Sequence, residues 1–267
     1  LDSAFRTLFS GSTLVVPEAR SALAVGAAVE RYDVNILPVS PTFLNLMLLA
    51  HVTEKFDCSS LEVIAYGAEP MSTKLLRRLV KAFPNAVFQQ KFGTSETGAI
   101  RIKSQSTDSV YFRIEDSGVE WRVQDAELWL KTSSRILGYL NADESSLEAD
   151  GWYRTGDLVE EAEGGYLRII GRRSQLINVG GQKVHPAEVE QVIAEIEGVE
   201  ACSVYAKPAA VTGNMVACVI VSSSNQDVRT WKRLIRSHCR GRMADWKIPV
   251  AVELRAELSM TDRLKRG

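Results

Sequence analysis

Between Leu14 and Gly98, short apolar segments with the length of β-strands alternate with longer segments whose apolar residues have helical spacing. The expected strands are Leu14–Pro17, Asn35–Val39, Leu61–Tyr66 and Val87–Lys91, and the expected helices are Ser21–Tyr32, Thr42–His51 and one that Ser72 caps. Strands that alternate with helices are typical of a layer built on a largely parallel sheet. The first part of the chain is therefore predicted to have an α/β fold.

The pattern changes after Gly98, where predicted strands follow one another without helices between them. Val110–Ile114 and Val119–Val123 flank the turn signal Asp116-Ser117-Gly118, which predicts a β-hairpin. Further strands are expected at Leu128–Lys131, Leu158–Glu161 and Tyr166–Ile170. This stretch is therefore predicted to form an antiparallel, β-rich subdomain.

A smaller α+β unit is predicted from Ser174 onwards. Gly180-Gly181 indicates a tight turn, Pro186 stands at the first position of an amphipathic helix, and Asp227 caps a second helix. Strands are expected at Cys202–Lys207, Val216–Ser222 and Val250–Leu254. We therefore predict that residues 1–173 form the end of a large mixed-sheet α/β domain and that residues 174–267 form a small C-terminal domain.

Composition and charge argue against several classes of protein. The formal net charge is −1, which does not favour nucleic acid as a partner, and no apolar run approaches the roughly 20 residues of a membrane span. The 3 histidines lack metal-ligand spacing, and the 4 cysteines form no C-x-x-C pair, so neither a zinc enzyme nor a thioredoxin-like protein is indicated. Scattered free thiols are typical of a reducing compartment, so a cytoplasmic location is expected.

The segment Gly151–Leu158 (GWYRTGDL) contains a glycine-flanked carboxylate and is the densest chemical signal. Asp157 could accept hydrogen bonds from both hydroxyls of a ribose, or it could cap the backbone N–H groups of its own turn. Arg172, just after the predicted strand Tyr166–Ile170, could hold a nucleotide or a carboxylate, or it could be an ordinary surface arginine. Spacing alone leaves both readings of each residue open.

Two further turns follow predicted parallel strands, at the edge where open α/β sheets bind ligands. The turn Phe92–Gly98 (FGTSETG) offers an aromatic ring for a purine, hydroxyls for phosphate oxygens and a carboxylate for magnesium. These groups belong to Phe92, Thr94, Ser95 and Glu96. The small residues of Gly67-Ala68-Glu69 would let a flat ring or an acyl chain approach closely. Either turn could instead be a simple polar connection with a helix cap.

Lys265 lies near the end of the chain in the basic stretch Thr261–Arg266. On a mobile loop, such a lysine could neutralise charge that develops during acyl transfer to phosphate. By itself, the stretch could equally be a solvated basic tail.

Taken together and in this order, the segments resemble the adenylate-forming superfamily, which contains acyl-CoA synthetases, peptide-synthetase adenylation domains and luciferases. The matching segments are Gly67–Glu69, Phe92–Gly98, Glu127–Asn141, Gly151–Leu158, Leu167–Arg172 and Ile177–Glu190, so the resemblance covers essentially the entire chain. It implies that a carboxylic acid is activated with ATP through an acyl-adenylate and is then transferred to a thiol. The implied cofactor and co-substrates are Mg²⁺, ATP and CoA.

The resemblance also implies roles for individual residues. It assigns nucleotide binding to Gly67, Ala68, Glu69, Phe92, Gly93, Thr94, Ser95, Asp157 and Arg172, the last two on the ribose. Glu96 is the implied magnesium ligand, and Lys265 is the implied catalytic lysine of adenylation. Ser174 falls at the hinge about which the small, mobile C-terminal domain rotates, and Gly180-Gly181 would line a channel for the thiol of CoA.

The chain departs from the family pattern at several positions. The replacements are Phe92 for the usual Tyr, Ser95 for Thr, Ala126 for Gly and Leu264 for Gly. The last of these weakens the match of Lys265. The family's glycine-rich phosphate loop would lie upstream of residue 1. Because the chain starts at Leu1 without an initiator Met and stops two residues after Lys265, both ends are expected to be cut from a longer protein.

The segment Ile177–Glu190 (INVGGQKVHPAEVE) resembles CoA ligases more than peptide-synthetase domains, so CoA is the expected acceptor. The phosphopantetheine thiol of a carrier protein is the second possibility. A third is an inactive fragment or a non-catalytic binding module that lacks the phosphate loop. The side chains of Val39, Phe43 and Tyr66 predict an apolar carboxylic acid as substrate.

Overall fold

The computed structural model describes residues 2–140 and 146–255. The chain divides into two compact units. The first contains Leu1–Lys91 and Lys103–Val110, and the second contains Phe92–Ile102 and Tyr111–Gly267. The domain boundary predicted between residues 173 and 174 lies inside the second unit and stays a prediction.

The first unit is an α/β layer. Its helices are α1 (Asp2–Phe9), α2 (Ala22–Tyr32), α3 (Pro41–Leu49), α4 (Val52–Lys55) and α5 (Thr73–Ala82), and its strands are β1 (Ile36–Val39), β2 (Val63–Tyr66) and β3 (Val87–Gln90). The strands pair in parallel in the order β1-β2-β3, which confirms the predicted α/β class. The side chains of Ser21, Ser40 and Ser72 accept first-turn N–H groups of α2, α3 and α5, which confirms the cap predicted at Ser72 and adds two that were not predicted.

The strand expected at Leu14–Pro17 is wrong. These residues adopt neither helix nor strand, and the side chains of Leu14 and Val16 are exposed. A short apolar run does not show whether another strand is available to pair with it. Among the described residues, no strand pairs with Leu14–Pro17.

The second unit begins with β4 (Phe92–Thr94) and β5 (Gly98–Ile100), which pair antiparallel. The strands that follow are β6 (Ile102–Ser104), in which the chain leaves this unit, and β7 (Phe112–Ile114), β8 (Val119–Gln124), β9 (Glu127–Thr132), β10 (Tyr153–Ala162) and β11 (Tyr166–Arg172). In the sheet, β7, β11, β10, β9 and β8 lie side by side in that order. The antiparallel β-rich region is therefore confirmed.

The hairpin expected around Asp116-Ser117-Gly118 is wrong, because β7 and β8 are not neighbours in the sheet. β7 pairs with β11, and β8 pairs with β9 across the turn at Asp125 and Ala126. Both turn residues have positive φ, +51° and +59°, which matches the two-residue turns that join twisted antiparallel strands.

The remaining elements are β12 (Ile177–Val179), β13 (Gln182–Val184), α6 (Pro186–Ile193), β14 (Val199–Ala209), β15 (Gly213–Ser222), α7 (Val228–Cys239) and β16 (Ala251–Leu254). β14 and β15 pair antiparallel, and β16 joins β15 in parallel. A hydrophobic cluster, which includes the fully buried Trp231 and Ile235, is formed among the described residues by side chains between Ile177 and Leu254. This cluster is called the C-terminal core below.

Among the described residues, none of the helices combines the length and hydropathy that a membrane crossing requires.

Candidate functional site

The turn between β4 and β5 is shaped by Thr94. Its hydroxyl accepts the N–H groups of Glu96 at 3.2 Å and Thr97 at 3.1 Å, and it also shares a hydrogen bond with the Thr97 hydroxyl. A Cβ at Gly93 would lie 2.4 Å from a carbonyl oxygen of β5, so only glycine fits there. Thr94 therefore organises the turn, whereas Ser95 is exposed.

Phe92 lies in the core of the second unit. Its ring stacks on Phe112, with 5.5 Å between the ring centroids and an interplanar angle of 28°. The ring is therefore a packing group in this structure, and its contact with adenine stays a prediction.

Glu96 directs its carboxylate at a tyrosine hydroxyl. The hydroxyl of Tyr139 donates to Oε1 of Glu96 over 2.8 Å. Partial burial raises the pKa of Glu96, but hydrogen bonds from neighbouring groups, that of Tyr139 foremost, more than offset the effect, so the pKa lies below its ordinary value. Tyr153 is among these neighbours, and its own pKa is raised by burial and by Glu96. The carboxylate of Glu96 is therefore charged at neutral pH.

A charged carboxylate at an accessible turn suits magnesium, which proteins bind through one or two carboxylates together with substrate phosphates. Within residues 2–140 and 146–255, no three His, Cys, Asp or Glu side chains cluster as a closed metal cage. Glu96 thus fits a metal ion that reaches the protein together with a nucleotide.

Asp157 and Arg172 face each other across β10 and β11. Their Cα atoms are register partners, and Oδ1 of Asp157 lies 2.8 Å from Nε of Arg172. The aspartate side chain is 7% exposed and the arginine side chain 51% exposed. Burial raises the pKa of Asp157, although the charge of Arg172 acts in the opposite direction. The structure therefore brings together the two residues predicted to hold the ribose.

Glu127 is a site candidate to which the sequence patterns gave no role. It is only 2% exposed. Its Oε1 accepts the N–H of Gly156 over 2.9 Å, and its Oε2 lies 2.9 Å from Nε of Arg173 and 3.7 Å from Nη2 of Arg154. Glu127 thereby fixes the backbone beside Asp157. The available signal was a charged residue directly before the apolar run Leu128–Leu130, since a carboxylate that such a strand buries needs paired cations.

Arginine and tryptophan side chains alternate along the same sheet. The guanidinium of Arg122 lies 4.7 Å from the ring centroid of Trp129 and 4.2 Å from that of Trp152. Arg154 lies 5.4 Å from the ring of Trp129. These four residues, called the arginine–tryptophan ladder, tie β8 and β9 to the start of β10, the strand that carries Asp157.

In the first unit, Gly67-Ala68-Glu69 forms a tight turn after β2. A Cβ at Gly67 would lie 2.6 Å from the carbonyl oxygen of Lys91, and Ala68 has a φ of +70°. Oε2 of Glu69 accepts both the N–H of Thr42 at 3.1 Å and its hydroxyl at 2.6 Å. The side chain of Glu69 therefore anchors the turn to the start of α3, and a role in nucleotide binding stays a prediction for these three residues.

The residues implied in domain rotation and thiol access lie after β11. Ser174 is exposed, in the 3₁₀ helix Arg173–Gln175. Gly180-Gly181 joins β12 to β13 with φ values of +56° and +89°, a conformation that glycine adopts without strain. The N–H of the first glycine donates to the carbonyl of Thr212 over 3.0 Å, which ties this turn to the β14–β15 connection. Lys265 lies outside the described residues.

Solved structures define the class of protein to which this fold belongs. The amide bond synthetase McbA from Marinactinospora thermotolerans has the same fold with a TM-score of 0.81 and 25% sequence identity, over 99% of this chain and 58% of that chain. The two units thus have the fold of adenylate-forming enzymes.

Sequence comparison identifies the family. The AMP-binding enzyme family matches residues 3–128, and the AMP-binding enzyme C-terminal domain matches residues 188–265. The chain therefore belongs to the AMP-binding enzyme family, as the motifs predicted.

Curated relatives include the 4-coumarate--CoA ligase-like 5 protein of Oryza sativa subsp. japonica, which is 29% identical over 228 residues, 84% of this chain and 41% of that protein. Acyl-CoA synthetase 7 of Caenorhabditis elegans is 26% identical over 275 residues, 96% of this chain and 51% of that protein. The chain thus spans about half the length of the curated relatives it matches.

Proposed function

We propose that the full-length protein activates a carboxylic acid with ATP through an acyl-adenylate and transfers the acyl group to the thiol of CoA. The observation that carries the proposal is the Asp157–Arg172 pair, which joins the middle of β10 to the last residue of β11 in a chain of the AMP-binding enzyme family. Relatives named as a CoA ligase-like protein and an acyl-CoA synthetase favour CoA as the acceptor.

In the first half-reaction, a carboxylate oxygen of the acid forms a bond to the α-phosphorus of ATP, and the bond from that phosphorus to pyrophosphate breaks. Asp157 and Arg172 would hold the ribose, the turns at residues 67–69 and 92–95 would contact the adenine and phosphates, and Lys265 would stabilise the transition-state charge. Mg²⁺, held by Glu96, would supply further neutralisation of the phosphates.

In the second half-reaction, the sulfur of CoA attacks the acyl carbonyl and AMP leaves. We propose that residues 174–267 act as a small mobile domain, which rotates about Ser174 and brings Gly180-Gly181 to the thiol channel. The C-terminal core supports this proposal, because all its members lie after Ser174.

The proposed substrate is an apolar acid, since Val39, Phe43 and Tyr66 stand where the family's acyl pocket is expected. A cytoplasmic location is proposed because scattered cysteines without a C-x-x-C pair are typical of a reducing compartment.

ATP–pyrophosphate exchange by the full-length protein, measured against a panel of carboxylic acids, tests the function. Exchange is expected only with the correct acid, and acyl-CoA is expected to form only when CoA is added. Exchange without acyl transfer to CoA, but with transfer to a carrier protein, would favour the second acceptor. A protein that binds ATP but exchanges no pyrophosphate with any acid would be the non-catalytic module, and the proposal would be wrong.

Lys265→Ala tests the adenylation lysine. Removing one charge that stabilises the transition state is expected to lower the exchange rate about 100-fold or more. Thiol transfer from a synthetic acyl-adenylate should remain, because that step does not build charge on the α-phosphate. Lys183→Ala is the control and should leave exchange unchanged. Normal exchange by Lys265→Ala would remove the role given to this lysine.

A further inference from the structure

We infer that Tyr139 is a positioning residue for magnesium, which acts by holding the carboxylate of Glu96 in its binding geometry. The inference rests on the proposed function, because it requires Glu96 to be the metal ligand. Its basis is the 2.8 Å hydrogen bond from the Tyr139 hydroxyl to Oε1 of Glu96.

The segment that carries Tyr139 is attached to the Glu96 turn at three points. The N–H of Ile136 donates to the carbonyl of Glu96 over 2.8 Å, and the hydroxyl of Ser134 donates to the carbonyl of Thr97 over 3.1 Å. The Tyr139 hydroxyl is the third contact and the one that reaches the carboxylate. The Glu96 turn and the Glu96 side chain are therefore both held by residues that come much later in the chain, between Ser134 and Tyr139.

The leucine side chains of this segment are exposed, and its tyrosine is partly buried. Leu137 and Leu140 are fully exposed, with relative accessibilities of 103% and 99%, whereas Tyr139 is partly buried against Glu96. A segment anchored by apolar burial would turn its leucines inward. The segment is instead held to the Glu96 turn by polar contacts, and the one made by Tyr139 reaches the carboxylate, which is what a positioning role requires.

The chemistry of the contact fits a metal ligand. A carboxylate has about four lone-pair positions, and the Tyr139 hydroxyl occupies one of them. Even with the neighbouring side chains of Thr94 and Tyr153 as further partners, a position remains for a cation. A glutamate side chain that is already ordered loses less rotamer entropy when the metal binds. Partners that orient metal ligands commonly change metal affinity about 10-fold or more when they are removed.

The matched control is in the same unit. The hydroxyl of Tyr111 donates to Oε1 of Glu160 over 2.7 Å, which is the same type of bond at nearly the same length. Neither Tyr111 nor Glu160 has been assigned to the site. Tyr111→Phe therefore removes an equivalent hydrogen bond without touching Glu96.

The experiment measures Mn²⁺ binding by electron paramagnetic resonance in the full-length protein, with α,β-methylene ATP present so that no reaction occurs. Tyr139→Phe is expected to weaken Mn²⁺ binding about 10-fold, and Tyr111→Phe is expected to leave it unchanged. In a Glu96→Gln background, Tyr139→Phe should cause no further loss, because its effect passes through the carboxylate. Thermal unfolding of both tyrosine variants verifies that each is folded.

Unchanged Mn²⁺ binding in Tyr139→Phe, equal weakening by Tyr111→Phe, or a full additional loss in the Glu96→Gln background would each overturn the inference. These outcomes leave the proposed function standing, since acid-dependent pyrophosphate exchange tests that function separately. If Glu96→Gln binds Mn²⁺ as tightly as the unaltered protein, Glu96 is not the ligand, and the inference fails together with that assignment.

Discussion

Asp157 and Glu96 are carboxylates of the same unit, and their surroundings act on them in opposite directions. Burial raises the pKa of Asp157 even though Arg172 lies 2.8 Å away. Glu96 is less buried, and hydrogen bonds keep its pKa low. A buried carboxylate whose neighbouring cation does not fully offset the cost of burying its charge is typical of a binding or catalytic position.

Asp157→Asn is expected to stabilise the fold at pH 7 while it weakens ATP binding. Because the folded-state pKa is raised above its ordinary value of 3.8, the stability that Asp157 contributes is present at acidic pH and is lost as the pH rises through the folded pKa. Asn keeps the shape without the buried charge. Thermal unfolding at pH 7 should show a higher Tm, and the KM for ATP should rise.

The control for this prediction is Asp227→Asn. Asp227 caps α7, and hydrogen bonds from Thr230 lower its pKa, so loss of this charge should not raise the Tm at pH 7. A lower Tm for Asp157→Asn than for the unaltered protein would contradict the account of Asp157.

The motifs located Asp157, Arg172 and Glu96, but they did not show what these side chains contact. Glu127 and Tyr139 were not given roles, because their partners lie far away in the sequence and meet them only through sheet pairing and the connection after β9. Periodicity and motifs report the local chain, whereas these contacts depend on the tertiary fold.

Among the elements, the arginine–tryptophan ladder joins three parts of the sheet through side chains. Arg122 lies between two indole rings, and its Nε is buried without a hydrogen-bond partner. The stacking, rather than hydrogen bonding of this nitrogen, therefore offsets the cost of burying part of the guanidinium. The ladder fixes the start of β10 relative to β8 and β9.

Arg122→Ala is expected to lower the free energy of unfolding by about 1–2 kcal/mol, because it removes both cation–π contacts and their packing. Chemical denaturation measures the change. Arg229→Ala, at an exposed position on α7, is the control and should have an effect within about 0.5 kcal/mol. Equal effects of the two substitutions would show that the ladder contributes no special stability.

Helices were easier to predict than strand partners. α2, α3 and α5 begin at serine caps, and α7 begins at Asp227, so local hydrogen bonding marks each start. The hairpin expected between β7 and β8 failed because alternation identifies a strand but not the strand with which it pairs. β7 instead pairs with β11, from much later in the chain.

At the scale of the whole chain, the C-terminal core indicates that residues 174–267 fold as an independent unit. A fragment of residues 174–267 is expected to unfold cooperatively, because Trp231 and Ile235 belong to a hydrophobic cluster whose described members all lie after Ser174. Circular dichroism during thermal denaturation provides the measurement. The companion fragment of residues 1–173 serves as the comparison, and a non-cooperative transition for residues 174–267 would count against the boundary at Ser174.

Three buried cysteines can serve as built-in reporters of the opening of the C-terminal core. Cys202, Cys218 and Cys239 are buried within it, whereas Cys58 lies in the first unit, where burial raises its pKa to about 11. A thiol-specific reagent will therefore find no accessible cysteine in the C-terminal core until that core opens. The rate at which these three thiols are modified in the native protein will report how often the core opens, without any label being engineered into the chain.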